Sequence, residues 1–394
     1  MTELDNKWMQ VSQEQNCLRL IFPERISSTN APAIREEVFA LLPRFPHTEL
    51  VADFEKVEYI SSSGLRVILE LIRKEKNFRI VDVCPDVYEV FDMTGFLQMV
   101  DIQKKRRQIS LDNAKEIDWG FTARVYRLTE DSIIKVYNED VPFEDIEAEL
   151  SHAKQAFIAG IPTAISFDIV DVAGSVGVIF ERMDGGTLKS AMLAEPERFD
   201  EFMGQYAQVL QTINSIPVVD EAIPDAKEIA LRKLKYLTEE KEMLSRQESE
   251  RMEKFLSSLP DTGTYIHGDC QFKNIMLSGG EPMLIDMDTL SKGSPLFELA
   301  ALYYCYIAFE EARPGNSENF FGVPEELTRK MMDRLMSACL PVYSEEPFER
   351  AEKKVQLLGA FICFQFIAQY MSDEENTLKR AADIFRKKLA EVEL

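Results

Sequence analysis

The pattern of apolar residues changes once along this chain, near residue 105, and that change limits the possible folds more than any other feature. Before it, three strand-like runs, the first of which alternates as a half-buried strand does, are separated by three helix-like segments: 17–22, 50–54 and 78–83 for the strands, and 31–42, 61–73 and 86–93 for the helices. After it, a pair of strands leads into mostly helical sequence. The βαβαβα order predicts an α/β domain with a mostly parallel sheet, and the remainder predicts a second domain of α+β type.

The boundary between the two patterns is a basic run, 104–107, followed by polar residues up to 116. Such a run is typical either of a nucleic-acid patch or of a solvated linker. The net charge of the chain is −23, of which −21 falls after residue 108, and an acidic field of this size disfavours binding to nucleic acid or anionic lipid. We therefore predict a linker over 106–115 and no nucleic-acid partner.

Cysteine usage and hydropathy predict a cytoplasmic protein that does not associate with membranes. The six cysteines are scattered, without a C-x-x-C pair or a Cys/His cluster, which excludes a disulfide framework and a structural zinc site on spacing. The first ten residues are polar and lack the pattern of a secretory signal. The two longest apolar stretches, 296–309 and 355–371, contain Glu298 and three glutamines and fall short of a membrane span, so we expect buried core helices there.

Two segments of the first domain carry a recognisable pattern, namely 53–65, which contains Ser61-Ser62-Ser63-Gly64, and 84–96. Together they resemble the STAS domain of sulfate transporters and anti-sigma factor antagonists. The resemblance implies a protein partner for this domain and a regulatory phosphoserine at Ser62. In the family an Asp precedes that serine, whereas this chain has Ser61, so a binding module without the phosphoswitch is the alternative. These serines also fit a purely structural role as helix N-caps.

The strongest chemical signal lies in the second half, where 265–277 contains His-Gly-Asp-x-x-x-x-Asn between apolar flanks. Asp269 and Asn274 are five residues apart, and Asp286 follows directly after an apolar run, 282–285. Phosphoryl transfer from ATP requires an acid that orients a hydroxyl and accepts its proton, together with hard oxygen ligands for Mg²⁺. The spacing therefore predicts a phosphoryl-transfer site.

Upstream of that motif, 120–128 and 132–137 are predicted to form two strands joined at 129–131. Lys135 stands among isoleucine and valine in the second strand, where a charged side chain either reaches a partner or faces solvent. The single glycine at the start of the hairpin, Gly120, is a weak signal for a phosphate-binding loop.

Taken together, these residues resemble the aminoglycoside phosphotransferase and choline kinase branch of the protein-kinase-like fold. The resemblance implies that Lys135 holds the ATP phosphates and pairs with an acid of the next helix, for which Glu149 is preferred over Glu147. It further implies Asp269 as the catalytic acid that orients the acceptor hydroxyl, with Asn274 and Asp286 as the Mg²⁺ ligands.

The same resemblance places the nucleotide base against a hinge strand, 178–183, which makes Glu181 and Met183 nucleotide-binding residues beside Gly120. It implies a structural role for His267 in packing the catalytic loop. The chain departs from the family in one motif, where Phe-Glu-Leu-Ala at 297–300 replaces a sequence that usually ends in Asp-Leu-Ala. Glu298 is expected to keep the charge and to shift a helix-capping contact.

The predicted organisation is an α/β STAS domain with a mixed sheet, followed by a bilobal α+β kinase-like domain. Its bounds are 1–105 for the STAS domain, 106–115 for the linker, and 116–394 for the kinase-like domain, with lobes at 116–183 and 184–394. The predicted function is MgATP-dependent phosphorylation of a hydroxyl on a small molecule, with the STAS domain as a regulatory or docking module.

Two other functions stay open. The first is a protein kinase or signalling switch that phosphorylates Ser62 or the serine of a partner, and the second is a non-catalytic nucleotide sensor. The acidic helical lobe favours a cationic acceptor such as an amino sugar or amino alcohol, with Glu310, Glu311 and the loop 313–319 lining its site. Solubility alone would also explain the acidity.

Overall fold

The computed structural model describes residues 2–5, 7–14, 16–112, 114–120 and 122–393. Residues 1, 6, 15, 113, 121 and 394, which the predicted domain and strand ranges include, lie outside the described residues. The chain forms two compact units, Met1–Ile109 and Ser110–Leu394, and the predicted linker spans the division between them.

The first unit alternates strands and helices. Its strands are β1 Thr2–Asp5, β2 Gln10–Glu14, β3 Cys17–Ile21, β4 Arg25–Ile26, β5 Glu49–Asp53, β6 Tyr59–Ile60, β7 Phe78–Val83, β8 Asp101–Lys104 and β9 Arg107–Gln108. Its helices are α1 Ala31–Leu41, α2 Ser62–Lys74 and α3 Pro85–Met93, with 3-10 turns at Leu42–Arg44 and Phe96–Gln98.

A six-stranded mixed sheet in the order β1-β2-β3-β5-β7-β8 forms the frame of this unit. The pairs from β3 to β8 are parallel, whereas β1/β2 and β2/β3 are antiparallel. This confirms the predicted fold class. The predicted strands do not include β1 and β2, because the residues before Cys17 are mostly polar and carry a weak strand signal. Gly64 allows α2 to pack closely, since a Cβ there would lie 2.6 Å from Cγ2 of Ile26 and 2.8 Å from Cγ1 of Ile60.

The second unit has a strand-rich beginning and a helical remainder. Its strands are β10 Lys115–Trp119, β11 Ala123–Arg127, β12 Ser132–Tyr137, β13 Ser166–Val172, β14 Ser175–Glu181, β15 Thr264–Ile266, β16 Ile275–Ser278, β17 Glu281–Leu284 and β18 Ser291–Gly293. Its helices are α4 Phe143–Ile158, α5 Leu188–Ala194, α6 Phe199–Ser215, α7 Ala226–Lys235, α8 Arg246–Ser258, α9 Leu296–Tyr303, α10 Phe309–Ala312, α11 Glu325–Tyr343, α12 Phe348–Tyr370 and α13 Glu375–Glu391. Short π-helical segments lie at Tyr236–Glu240, Tyr304–Ala308 and Ser317–Phe321, and 3-10 turns at Pro196–Arg198 and Met287–Thr289.

The strands β10-β11-β12-β14-β13 form an antiparallel sheet in that order, and α4 packs on it. The first predicted strand, 120–128, is shorter in the structure because Gly120 and Thr122 belong to the turn that joins β10 to β11. Two short antiparallel pairs, β15/β18 and β16/β17, carry the loops that follow Ile266 and Leu284. Both loops lie on the large apolar core of the helical lobe.

The two long apolar stretches, 296–309 and 355–371, lie in this core, as predicted. Helix α9 is buried along its whole length, and α12 buries most of its residues. Among the described residues, no helix combines the length and the apolar character that crossing a bilayer requires.

Candidate active site

Lys135 is the centre of a buried charge network. It lies in the middle of β12, and its Nζ donates to Oε1 of Glu149 at 2.7 Å and to Oδ1 of Asp286 at 2.6 Å. The hydroxyl of Tyr137 donates to the other carboxylate oxygen of Glu149 at 2.7 Å. Burial alone lowers the pKa of Lys135, but the charges of Asp286 and Glu149 outweigh it and raise that pKa well above its ordinary value. The lysine therefore stays charged in this site.

Helical phase decides which acid Lys135 meets. Ile146, Glu149 and Ala153 lie on one face of α4 at spacings of three and four residues, and all three are buried. Glu147 lies off this face and is exposed. The structure thus brings Lys135 together with Glu149, the preferred of the two predicted acids.

Asp286 adopts a backbone conformation that a non-glycine residue rarely takes, with φ 63° and ψ 72°. Strain of this kind persists only where the surrounding structure fixes it, and it is concentrated at functional sites. Burial raises the pKa of the Asp286 carboxyl, and the ammonium of Lys135 more than offsets this, so that the pKa falls below its ordinary value. The carboxylate is therefore held ionised at the point where Lys135 reaches it.

Asp269 and Asn274 lie on the loop between β15 and β16 and are hydrogen bonded to each other. Nδ2 of Asn274 donates to the backbone oxygen and to Oδ2 of Asp269, both at 2.9 Å. Nε2 of Gln271 donates to both carboxylate oxygens of Asp269 at 3.0 Å, while its own Oε1 is buried without a partner. Burial, with a smaller effect from the charges of Asp288 and Asp286, raises the pKa of Asp269 to about 7. Such a carboxyl is a stronger base than an ordinary aspartate.

Backbone contacts hold this loop against the segment that carries Asp286. His267 is fully buried, its Nε2 lies 2.9 Å from the carbonyl oxygen of Ile285, and its Nδ1 accepts from the N–H of Asp269 at 3.3 Å. These partners fit the neutral tautomer with the proton on Nε2. Gly268 has φ 82°, and a Cβ there would lie 3.0 Å from the carbonyl oxygen of Thr289. The structure therefore gives His267 the packing contacts that were expected of it.

Glu298, the residue of the divergent motif, fixes the start of the same loop. Its carboxylate is fully buried and accepts from the N–H of His267 at 2.6 Å and from the N–H of Gly268 at 3.2 Å. Nδ2 of Asn214 lies 3.4 Å from the same group. The side chain of Glu is one methylene longer than that of Asp, and its carboxylate reaches the two backbone N–H groups that directly precede Asp269.

A relay of two buried tyrosines supports the other end of the loop. Tyr306 accepts from the N–H of Phe272 at 2.9 Å and lies 2.9 Å from the hydroxyl of Tyr206. Tyr206 donates to the carbonyl oxygen of Cys270 at 2.5 Å, so Tyr306 must be the donor to Tyr206. The relay ties both neighbours of Gln271 to α6 and to the π-helical segment Tyr304–Ala308. Neither tyrosine carries a sequence signal, because both lie far from the loop in the chain.

We expect Tyr306→Phe to lower the free energy of unfolding by about 1–3 kcal/mol, because it leaves the N–H of Phe272 buried without an acceptor. Urea unfolding measures this change. Tyr304→Phe is the matched control, since among the described contacts its hydroxyl takes part in no hydrogen bond, and we expect it to stay within about 0.5 kcal/mol of wild type. Equal effects of the two substitutions would show that the relay does not stabilise the loop.

The predicted nucleotide-binding residues at the hinge lie at the end of β14. The N–H of Glu181 donates to the carbonyl oxygen of Ile165 at 2.8 Å, and its Oε2 accepts from the N–H of Ile165 at 3.2 Å. The carboxylate of Glu181 is therefore committed to the fold. In the described chain the N–H of Met183 has no hydrogen-bond partner, which leaves it available to a ligand.

Gly120 lies in the exposed turn between β10 and β11, and its N–H donates to the carbonyl oxygen of Ala123 at 2.8 Å. In the other unit, the exposed Ser62 is the first residue of α2, and the hydroxyl of Ser61 caps the helix by accepting from the N–H of Gly64 at 3.3 Å. These two predicted residues do not belong to the contacts around Lys135 and Asp269.

Hard oxygen donors are present for a metal ion. The amide of Asn274 and the carboxylate of Asp286 supply oxygen, the donor type that Mg²⁺ prefers. No group of three or more His, Cys, Asp or Glu side chains that could hold a metal by themselves occurs among the described residues. This donor set is compatible with an ion that takes its remaining ligands from phosphate and water.

Glu310, expected to line an acceptor site, is instead a structural residue. It is buried, and its carboxylate accepts from the N–H of Gly315 at 2.5 Å and from the N–H of Ser317 at 2.6 Å. Burial raises the pKa of Glu310, but these backbone bonds outweigh it and lower that pKa below its ordinary value. The carboxylate thus holds the loop that leads into Ser317–Phe321.

An antiparallel lobe whose lysine pairs with a helix acid, set against a helical lobe with an Asp–Asn loop and a strained second Asp, defines a kinase-like phosphotransferase. The model of the phosphotransferase enzyme family matches residues 113–327, more than half of the chain, and the chain belongs to this family. The model of the STAS domain matches residues 9–109.

One curated relative and several solved structures are similar to parts of the chain. A protein of Bordetella bronchiseptica named as an anti-sigma factor antagonist, BtrV, is 29% identical over 85 residues, which are 21% of this chain and 72% of that protein. The streptomycin–ATP complex of aminoglycoside phosphotransferase APH(2″)-IIa is 15% identical, with a TM-score of 0.46, over 70% of this chain and 93% of that one. Choline kinase LicA of Streptococcus pneumoniae is 16% identical, with a TM-score of 0.46, over 71% of this chain and 95% of that one.

Proposed function

We propose that the second unit transfers the γ-phosphoryl group of ATP to a hydroxyl of a small molecule. The observation that carries this proposal is the convergence of Lys135, Asp269, Asn274 and Asp286 from separate segments onto one site. Lys135 bridges the two lobes through Asp286 at 2.6 Å, and Asn274 holds Asp269 at 2.9 Å. Positioning and charge supply most of the rate of phosphoryl transfer, and this set of groups provides both.

In the proposed reaction the acceptor oxygen forms a bond to the γ-phosphorus while the bond to the β,γ-bridging oxygen breaks. The carboxylate of Asp269 orients the acceptor hydroxyl and takes its proton, which then passes to solvent, and ADP leaves with the bridging oxygen. The pKa of about 7 for Asp269 supports this role, because a base that titrates near neutral pH can both accept and release a proton there.

Nucleotide and metal would be held by the residues predicted for them. Lys135 would bind the α- and β-phosphates, held in place by Glu149, and the free N–H of Met183 would meet the base. Asn274 and Asp286 would hold Mg²⁺, which supplies charge neutralisation for the transferred phosphoryl group. For Glu181 we propose a supporting role, since its carboxylate and N–H are both bonded to Ile165.

The two alternative functions receive less support. Helix α9 begins at Leu296, ten residues after Asp286, which leaves little chain for a platform that would bind a peptide acceptor. A non-catalytic sensor would not need Asp269 held by two amide donors beside the site of Lys135. We therefore favour a small-molecule acceptor.

For the first unit we propose a regulatory or docking function toward a protein partner. Ser62 is exposed at a helix N-terminus, where the backbone N–H groups and the helix dipole tolerate a phosphate. Intact-mass analysis and phosphosite mapping after incubation with MgATP alone test the switch. A phosphate on Ser62 that depends on Asp269 would favour the signalling function, and its absence would favour the docking module.

The nucleotide part of the proposal is tested with Gly120→Val. A Cβ at Gly120 meets only the carbonyl oxygen of Ala123, at 3.8 Å, so the fold should accept the larger side chain. If ATP phosphates approach this turn, we expect the Kd for ATP to rise at least tenfold, measured by calorimetry, with an unchanged melting temperature. Gly204→Ala, in α6 with open space around its Cβ, is the control for a harmless substitution. An unchanged Kd in Gly120→Val would remove this turn from the nucleotide site.

A further inference from the structure

The segment Ser317–Phe321 forms an aromatic ledge beside the catalytic loop. It is π-helical, a conformation often found at functional sites. Phe321 is fully buried, with its ring centre 5.4 Å from that of Phe272 on the loop and 5.4 Å from that of Tyr306. Phe320 packs on Phe321 at 4.9 Å and yet is 53% exposed. Phe320 therefore presents a large exposed ring on a segment that packs against the catalytic loop through Phe321 and Phe272.

Lys273 lies over that ring. It precedes Asn274 on the catalytic loop, and its Nζ is 4.0 Å from the ring centre of Phe320. Within the described chain, no acid lies within ion-pairing distance of Lys273. The thiol of Cys305 is under the influence of both Asp269 and Lys273: apart from burial, Asp269 raises its pKa and Lys273 lowers it. The ammonium of Lys273 and the carboxylate of Asp269 therefore act on the same region of the site.

A second lysine lies near the same ledge. Gly322 ends the π-helical segment with φ 66°, and Nζ of Lys189 lies 3.6 Å from the position that a Cβ on Gly322 would take. The N–H of Lys189 donates to the carbonyl oxygen of Phe272 at 3.1 Å, which ties the start of α5 to the catalytic loop. Two cations thus border the ledge.

The two acids predicted to line an acceptor site are already engaged. Glu310 accepts from two backbone N–H groups, and Glu311 pairs with Arg329 at 3.7 Å. Arg313, on the loop before the ledge, pairs with Glu374 at 2.9 Å. These acids are therefore engaged, whereas Lys273 and Lys189 have no ion-pair partner among the described residues.

We infer that Lys273 and Phe320 form the acceptor-recognition element and that the acceptor is an alcohol carrying an anionic group, a carboxylate or a phosphate. The inference rests on the proposed function and names its substrate class. The ammonium of Lys273 lies on the face of the Phe320 ring, which fixes its position without neutralising its charge, so that it can still attract an anion. A cationic acceptor would meet like charge at this point and be rejected. The same ammonium could instead serve the γ-phosphate of ATP, and the experiment separates these two sources of anion.

The first arm measures nucleotide affinity by calorimetry with the full chain, using AMP-PNP and ADP. The variants are Lys273→Met, which keeps an apolar side chain on Phe320, and Glu318→Gln, which neutralises the exposed acid on the same segment as a control. We expect both variants to bind AMP-PNP within twofold of wild type. A tenfold loss for AMP-PNP but not for ADP in Lys273→Met would assign the ammonium to the γ-phosphate and overturn the inference. Failure of wild type to bind either nucleotide would refute the proposed function itself.

The second arm measures ADP formation with alcohols that differ in charge: glycerol, sn-glycerol 3-phosphate, glycolate, ethylene glycol and choline. The same protein, saturated with AMP-PNP, is titrated with these compounds and with inorganic phosphate in a thermal-shift assay. We expect anionic members to show at least tenfold higher kcat/KM or, where none is turned over, a concentration-dependent rise in melting temperature with inorganic phosphate. Either preference should disappear in Lys273→Met and persist in Glu318→Gln.

Three results would overturn the inference while leaving phosphotransfer intact. These are a preference for choline that Glu318→Gln removes, an anion preference that survives in Lys273→Met, and the absence of any response to the anionic compounds and to inorganic phosphate. Phe320→Leu is the second variant. It leaves the charge in place, and we expect it to weaken the anion preference less than Lys273→Met does.

Discussion

Asp269→Asn is expected to lower kcat for phosphoryl transfer by about 10²- to 10⁴-fold while leaving ATP affinity within a few fold of wild type. The substitution removes the base and preserves the shape of the side chain. The site is able to accept the new amide: Oε1 of Gln271 is buried without a partner and can accept from it, and Asn274 keeps its bond to the backbone oxygen of residue 269. The free energy of unfolding should therefore change by only about 1 kcal/mol.

The measurement is ADP formation under saturating MgATP together with calorimetry for ATP binding, in wild type and in the variant. Asp383→Asn, an exposed acid on α13, is the matched control and should behave as wild type. Retention of more than a tenth of the wild-type kcat would show that Asp269 is not the base. Nucleotide binding with no turnover in wild type would instead identify a non-catalytic sensor.

Much of this site could be predicted, because its residues are either close in sequence or, like Lys135, charged residues among apolar ones. Asp269, Asn274 and Asp286 are brought together by one loop and one short hairpin. Their separation along the sequence therefore largely determines how they lie in space. Lys135 is a charge inside an apolar strand, and such a residue needs a partner. The choice between Glu147 and Glu149 follows from helical phase, since only Glu149 shares a face with buried residues.

Other features of the site could not be predicted from the sequence, because they depend on contacts between segments that are far apart in the chain. Tyr206 and Tyr306 support the catalytic loop from α6 and from the π-helical segment that follows α9, and both are ordinary core residues in pattern. Net charge favours a cationic acceptor, whereas the proposed anionic one rests on contacts that composition does not show: the carboxylate of Glu310 is bonded to backbone N–H groups, and Lys273 on the loop has no ion-pair partner among the described residues. Net charge determines the electrostatic potential at a distance from the protein, whereas recognition of a ligand depends on the few groups that contact it.

Glu298 and Glu310 offer the most discriminating comparison, because each is a buried glutamate whose carboxylate accepts from two backbone N–H groups. Glu298 holds His267 and Gly268, directly before Asp269, and Glu310 holds Gly315 and Ser317, at the start of the aromatic ledge. Replacing either by alanine leaves one buried and one partly buried backbone N–H group without acceptors, which we expect to lower the free energy of unfolding by about 2–5 kcal/mol. Urea unfolding should therefore rank the two variants together.

Their kinetics should differ, because they fix different loops. In Glu298→Ala we expect faster hydrogen exchange in the peptide 266–274 and a loss of kcat of at least tenfold with ATP affinity retained. In Glu310→Ala we expect faster exchange in 313–322 and a higher KM for the acceptor with kcat nearly unchanged, because the ledge moves while Asp269 stays in place. Glu298→Asp, which restores the residue usual in the family, keeps the charge and shortens the side chain. A kcat close to that of wild type in this variant, after the loss in Glu298→Ala, would show that the charge alone suffices. Equal losses of kcat in the two alanine variants would mean that general destabilisation, rather than loop position, explains both.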